Sequence, residues 1–234
     1  ETNFLGSSPG MGPLHCVLSG LVRHASVKTW SCDAALGDAL PLVFKVVDDL
    51  DDATQALGLA LLLRILRLAM PTHLHRHRAI LCDILERCLK CSRSAHVAGL
   101  ALTAHTRLLA VLTPTPETLV RRHALLRQAL SRVGQGTWTS ADRARVVGSA
   151  FPGLLAQLAL GLELLTHTRT LLACLLEMLD TPSAPLQLAA LETIFVAAQG
   201  IWPRLAPKAE EILAVLLRSA CFARRERHPE EDRK

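Results

Sequence analysis

The chain has very few aromatic residues: they make up 3% of its 234 residues, and tyrosine is absent. Strands of β-sheets are enriched in aromatic and β-branched side chains, whereas the 50% of this sequence that is hydrophobic is mostly Leu and Ala. No segment alternates apolar and polar residues with a period of two. These absences argue against a sheet-based fold and predict an all-α protein.

Motifs of common enzyme classes are also absent. The sequence has no nucleophile elbow, P-loop or HExxH pattern, and Gly134-Gln135-Gly136 lacks the third glycine of a dinucleotide site. We therefore predict a non-enzymatic protein without a cofactor. Direct nucleic-acid binding is not expected, because the net charge of +5 comes from scattered Arg and few aromatics are available for base stacking.

The sequence also has no signal pattern or uninterrupted apolar span. Its seven cysteines are an odd number and lie mostly among apolar helical residues, which favours reduced thiols in an intracellular protein of the cytoplasm or nucleus. Charged residues interrupt the longest apolar stretch, Leu154 to Leu179, so no membrane association is predicted. Because Glu1 is not an initiator Met, we expect the C-terminal portion of a longer chain.

Helical patterns with short breaks follow one another along most of the chain. They are predicted at 36–47, 54–70, 74–91, 94–112, 117–133, 140–150, 153–165, 167–179, 183–200 and 206–222. Pairing neighbours gives hairpins near 54–91, 94–133, 140–179 and 183–222, a repeat of about 40 residues, as in HEAT and armadillo proteins. We therefore predict an α-solenoid of HEAT/armadillo-like helical hairpins over 31–222, after a flexible or partly ordered segment 1–30 and before a charged disordered tail 223–234.

The clearest hairpin signal is the segment from Asp180 to Leu217. Thr181 and Pro182 suit a helix start, and Gly200 suits its end. The apolar stripes predicted to be buried are Leu188, Leu191, Ile194, Phe195 and Ala198 on the first helix and Ile212, Leu213, Leu216 and Leu217 on the second. Since neither helix can bury its stripe alone, stacking of such units is expected, and stacked repeats mostly bind proteins.

Two turns supply the candidate partner-binding residues. In the turn Trp202-Pro203-Arg204, Trp202 is either a wedge between two helices or, with Arg204, an exposed anchor of the kind enriched at binding hot spots. The second candidate is the pair Asp48 and Asp49. Its acidic cluster, which continues through Asp51 and Asp52, is interpreted mainly as a helix N-terminus and secondarily as a docking point for a basic partner.

A zinc site near His73 is an alternative to consider. His73 and His77 would lie one helical turn apart, and Cys88 and Cys91 form a CxxC pair. No second CxxC follows, and the segment continues an amphipathic helical pattern. We therefore interpret Cys82 and Cys88 as core residues and predict no metal, while an enzyme or metal protein built around 73–91 stays open as a hypothesis.

Three segments resemble the Tel-two-interacting protein two (Tti-two) family, a subunit of the TTT co-chaperone complex. The first combines Leu191-Glu192-Thr193-Ile194, Ile201-Trp202-Pro203-Arg204 and the apolar run 212–217. The second begins at Asp48-Asp49 and continues through Leu57-Gly58 to 78–81, and the third runs from Arg143 through Phe151-Pro152 to Asp180. Together they cover about residues 48–218.

The resemblance implies a scaffold that binds Tti-one and Tel-two homologues. Through them it would support maturation and stability of phosphatidylinositol-3-kinase-related protein kinases by the heat-shock-ninety chaperone, with effects on the DNA-damage response, telomeres and growth control. The alternative that the repeat pattern leaves open is an unrelated HEAT or armadillo adaptor, used in transport or as a ubiquitin-ligase scaffold.

Overall fold

The computed structural model describes residues 33–135, 137–159 and 163–227, without the side chains of 33–35, 159, 163, 202–204 and 219–227. Its α-helices are α1 (Asp33–Val47), α2 (Asp52–Leu68), α3 (Pro71–Cys91), α4 (Ala95–Val111), α5 (Pro116–Gly134), α6 (Ser140–Ala159), α7 (Thr168–Asp180), α8 (Ala184–Leu205) and α9 (Ala209–Arg227). Short 3₁₀ segments, Glu163–His167 and Ala206–Lys208, precede α7 and α9. Because no strand occurs within these ranges, the all-α prediction is confirmed.

The predicted breaks coincide with cap residues that the sequence places there. The Asp51 carboxylate accepts a hydrogen bond from the Thr54 amide at 2.8 Å and so caps α2, as the helix N-terminus interpretation of the acidic cluster expects. Ser94 caps α4 in the same way, and Thr115 forms a reciprocal capping box with Thr118 at the start of α5.

Three predicted boundaries are wrong. Pro152 does not separate two helices but lies inside α6, as Pro41 lies inside α1. A proline inside a helix costs about 3 kcal/mol, but Phe151 and Leu154 on either side of Pro152 are fully buried, and burying each stabilises by about 1.5–3 kcal/mol. The helix predicted to end at Gly200 continues to Leu205 with a kink at Ile201, and α9 continues to Arg227, into the predicted tail. The remaining residues of the predicted terminal segments lie outside the described residues.

The helices pack in two rows. The even row is α2, α4, α6 and α8, and each of its helices packs on the next. In the odd row α1 packs on α3, α5 on α7 and α7 on α9, while ion pairs between Arg121 and the acidic residues Asp83 and Glu86 join α3 to α5. The core lies between the rows, where α1 packs on α2, α3 on α4, α5 on α6 and α7 on α8.

The observed pairing is therefore shifted by one helix from the predicted hairpins. The prediction joined α2 to α3 and left the helix at 36–47 unpaired, whereas α1 pairs with α2 and α3 with α4. The reason lies in α4, on which residues all around the helix are buried, including Val97, Ala98 and Leu102. Its sequence therefore defines no single partner side, and contacts with α2, α3 and α6 settle the order.

Gly58 lets α1 and α2 approach closely, which leads to a first prediction. A Cβ atom at this position would lie 2.9 Å from the Val47 backbone nitrogen and 3.0 Å from Val46 Cγ1. Overpacking of this kind costs about 1–3 kcal/mol, against a helix-propensity gain of at most about 1 kcal/mol. We expect Gly58→Ala to lower the free energy of unfolding in urea by about 1–2 kcal/mol.

The matched control is Gly37→Ala on α1, where an added Cβ would meet no heavy atom of the described residues within 4 Å. That substitution should raise the free energy of unfolding by about 0.5–1 kcal/mol, because alanine loses less backbone entropy than glycine in a helix. A shift of the same sign for both variants would show that close helix approach is not what requires glycine at Gly58.

Candidate protein-binding surfaces

The structure places the predicted site residues at different points of the helix order. The backbone of Trp202 and Arg204 forms the last turn of α8, after the kink at Ile201, where φ is −132° and ψ is 23°. Their side chains lie outside the described residues, so their partner-binding role stays a prediction. Asp48 and Asp49 lie in the α1–α2 turn, and helices α2–α7 lie between that turn and α8 in the chain.

Both aspartates have intramolecular partners. Arg87 on α3 donates to both carboxylate oxygens of Asp48, at 2.9 and 2.8 Å, and the Asp49 carboxylate accepts a hydrogen bond from the Asp51 amide at 2.9 Å. These contacts give the paired aspartates a local role in fixing the turn and joining α1 to α3. The docking role predicted for them is a separate proposal.

The largest group of exposed apolar side chains lies on α8 and α9. Its members, here called the end face, are Leu188, Leu191 and Phe195 on α8 and Leu213 and Leu217 on α9. Phe195 is 64% exposed and Leu217 is 66% exposed. The prediction that these stripes are buried is therefore wrong for all five, although Ile194 and Ile212 are buried as predicted.

The packing of α8 explains this exposure. Its opposite side carries Leu186, Ala190 and Ala197, which are buried where α8 packs on α6 and α7. Among the described helices, α4 and α6 each contact two neighbours within the even row, whereas α8, at its end, contacts only α6 there. Contiguous exposed apolar surface marks interaction sites, since burying it removes apolar area from water.

One helix of the described chain, α8, is long and apolar enough over Ala184–Ile201 to cross a membrane by length and composition alone. A core helix passes the same test, and the buried side of α8 packs on α6. Packing therefore explains the apolar residues on the buried side of α8, while 39% of the Ala184–Ile201 window is buried.

Ion pairs join successive helices of the odd row at similar sequence separations. Arg87 pairs with Asp48 at 2.8 Å between α3 and the end of α1. Arg121 on α5 pairs with Glu86 on α3 at 2.7 Å, and Arg218 on α9 pairs with Asp180 on α7 at 3.3 Å. Exposed pairs contribute little stability, about 0–1 kcal/mol each, so their main effect is on register.

The junction between α5 and α7 is different. Here His123 Nδ1 and His167 Nε2 lie 2.7 Å apart, and the two rings have centroids 5.0 Å apart. The helices border a groove of about 880 Å³, lined by Arg127 and Ser131 from α5 and by Thr170, Cys174 and Glu177 from α7, among others. Burial, with the positive charges of His123 and Arg127, lowers the pKa of His167.

The histidine and cysteine segment of α3 forms part of the core and of a neighbouring turn. Cys82 and Cys88 are buried, as predicted, and burial raises the pKa of each thiol to about 11. His75 contacts Thr113, with Nε2 3.2 Å from the hydroxyl oxygen. No three His, Cys, Asp or Glu side chains come together as a metal site within the described ranges.

Trp138 links two turns of the stack. Its ring is half-buried against the core, its Nε1 donates to the Arg93 carbonyl at 3.4 Å, and the Arg132 guanidinium lies 5.6 Å from the ring centroid. Arg132 also donates to the Ser92 carbonyl. These contacts hold the α5–α6 turn against the α3–α4 turn.

In comparisons with known proteins, no family model, no curated protein and no solved structure matches this chain. The functional argument therefore depends on the two surfaces described above. Sequence reasoning missed the groove, because its two histidines come from segments 44 residues apart and no local motif joins them. Sequence reasoning also missed that the end face is exposed. Leu or Ala lies on every side of α8, and this pattern was a signal that α8 has apolar surface for neighbours on two opposite sides.

Proposed function

We propose that this chain is a non-enzymatic α-solenoid scaffold of the Tti-two type, which docks another helical-repeat protein on its end face. The observation that carries the proposal is the exposure of five large apolar side chains on α8 and α9, the last described helices of their rows. In solenoids each unit buries the apolar side of its neighbour, so a partner helix packed on α8 would continue the even row.

The arrangement of the rows supports the solenoid part of the proposal. Contacts join neighbouring helices within each row and between rows, and cross-helix bonds recur at separations of 39, 35 and 38 residues. Repeats of about 40 residues occur in HEAT and armadillo arrays. By the resemblance of its segments to the Tti-two family, the expected partners are Tti-one and Tel-two homologues, and indirectly the chaperone and kinases that they serve.

The decisive variant is Phe195→Asp, which places a carboxylate on the end face. Burying that charge against an apolar partner costs several kcal/mol, so we expect capture of Tti-one from cell extract to fall by at least about tenfold. The measurement is affinity purification of the tagged chain at physiological salt, with quantitative mass spectrometry of co-purifying proteins.

The control is Val120→Asp on α5, because Val120 and Phe195 are both 64% exposed and Val120 lies off the end face. Equal loss of partner with both variants would show that the end face is not the docking site. Recovery of transport cargo or ubiquitin-ligase subunits without Tti-one would replace the family proposal with the unrelated adaptor. The same assay with Trp202→Ala and Arg204→Glu tests the predicted anchors.

A further inference from the structure

The odd row has one junction, among those that the structure describes, where a cation is not matched by a carboxylate. Ion pairs bridge α1 to α3, α3 to α5 and α7 to α9. Between α5 and α7, the acidic side chain in the groove is Glu177, and it pairs with Arg143 of α6 at 3.4 Å. Arg127 therefore faces the groove without an ion-pair partner among the described residues.

The histidine pair adds a further hydrogen-bond donor. At 2.7 Å, one ring nitrogen donates and the other accepts, so the accepting ring carries an N–H on its other nitrogen. An anion in the groove would accept hydrogen bonds from this N–H and from the Arg127 guanidinium.

The rest of the groove lining suits a carboxylate carried on a peptide. Ser131 and Thr170 offer neutral hydroxyls, while Leu130 and Ala173 offer small apolar surface. A volume of about 880 Å³ accommodates several residues of an extended segment. Arginine and imidazolium groups bind carboxylates by charge-assisted hydrogen bonds, which are about twice as strong as neutral ones.

We propose that the groove between α5 and α7 binds an acidic segment of a partner protein, whose carboxylates are held by Arg127 and the His123–His167 pair. This inference depends on the proposed function as a scaffold, but it uses a different surface from the end face. The other groups at the site do not oppose anion binding: burial raises the pKa of the Cys174 thiol to about 11, and Glu177 is paired with Arg143.

The test uses purified chain and a short fluorescein-labelled peptide of alternating Asp, Glu and Ala, measured by fluorescence anisotropy. Arg127→Gln should weaken peptide binding about tenfold, as expected for a lost charge-assisted contact. Arg107→Gln, which removes an exposed arginine of α4 outside the groove, should leave affinity within about twofold of the unsubstituted chain. His123→Gln should also weaken peptide binding, because it removes one ring of the pair that lines the groove.

Equal weakening by Arg127→Gln and Arg107→Gln would reduce the effect to general charge attraction and overturn the proposal. Absence of binding to the unsubstituted chain, or equal binding of a peptide with Asn and Gln in place of the acids, would overturn it as well. If inorganic phosphate displaces the peptide at concentrations at which free carboxylates do not, the groove is a phosphate site instead. Because this assay contains no Tti-one, its failure leaves the end-face test unaffected.

Discussion

Phe151→Ala is expected to lower the free energy of unfolding by about 3–5 kcal/mol, the range measured for large aromatic residues removed from cores. Phe151 is fully buried on α6, and α6 packs on both α4 and α8 of the even row. Because the ring is fully buried, the cavity left by its removal would be enclosed by packed atoms, which limits how far the structure can relax into it. Urea unfolding followed by circular dichroism at 222 nm measures the change.

The matched control for that variant is Phe195→Ala. The same atoms are removed, but the Phe195 ring is 64% exposed on the end face, so the free energy of unfolding should change by less than about 0.5 kcal/mol. Stability losses of similar size for both phenylalanines would contradict the buried and exposed assignments on α6 and α8. Conversely, Phe195→Ala should weaken partner capture. Phe151→Ala should leave capture unchanged when it is measured at a temperature well below the midpoint of thermal unfolding of that variant.

The second large effect is a loss of stability in acid caused by His105. Both ring nitrogens of this α4 histidine are buried without a hydrogen-bond partner among the described residues. Burial, with a smaller contribution from Arg121, lowers its pKa from 6.5 to about 4. Between those values the unfolded chain binds the proton more readily, so the free energy of unfolding falls with decreasing pH by a total of about 3 kcal/mol.

Above pH 6.5 the imidazole is neutral in both states, and its contribution to stability is fully present. His105→Leu should remove most of the loss between pH 6.5 and about 4, leaving the smaller contributions of His96 and His167, whose pKa values burial also lowers. It should also stabilise the protein at pH 7 by about 1 kcal/mol, because two unsatisfied buried nitrogens are replaced by apolar surface.

His105→Gln separates these two consequences. A glutamine does not titrate, so acid sensitivity should fall as in His105→Leu, but its buried amide brings no gain at pH 7. Urea unfolding at a series of pH values gives both quantities. If the free energy of unfolding of both variants depends on pH as it does in the unsubstituted chain, the loss of stability in acid comes from other groups.

Much of the helix inventory could be predicted from the sequence, because caps and apolar periodicity are local. Asp51 caps the helix that its acidic cluster was expected to precede, and Ser94 and Thr115 cap α4 and α5 within one or two residues of the predicted starts, since each cap bond spans three residues. Burial of Cys82 and Cys88 followed from their place in the apolar stripe of α3. The interruption expected at Pro152 was wrong because buried neighbours on both sides outweigh the lost backbone hydrogen bond.

The candidate sites were less predictable, since each depends on which helices meet. A broad apolar surface on α8 identifies a packed helix but does not say which side a neighbour covers, and the packing of α8 on α6 leaves Phe195 exposed. Similarly, His123 and His167 have no shared motif and meet only because α5 packs on α7.

By itself, the sequence determined that this protein is helical, where most of its helices begin and end, and which cysteines are buried, because hydrogen bonds and side-chain spacing within one helix carry that information. Only the tertiary structure decided the pairing of the helices, the exposed side of α8 and the groove between α5 and α7. Contacts between segments some 35 to 44 residues apart fix these features, and helical periodicity specifies that a stripe must be buried without specifying what buries it.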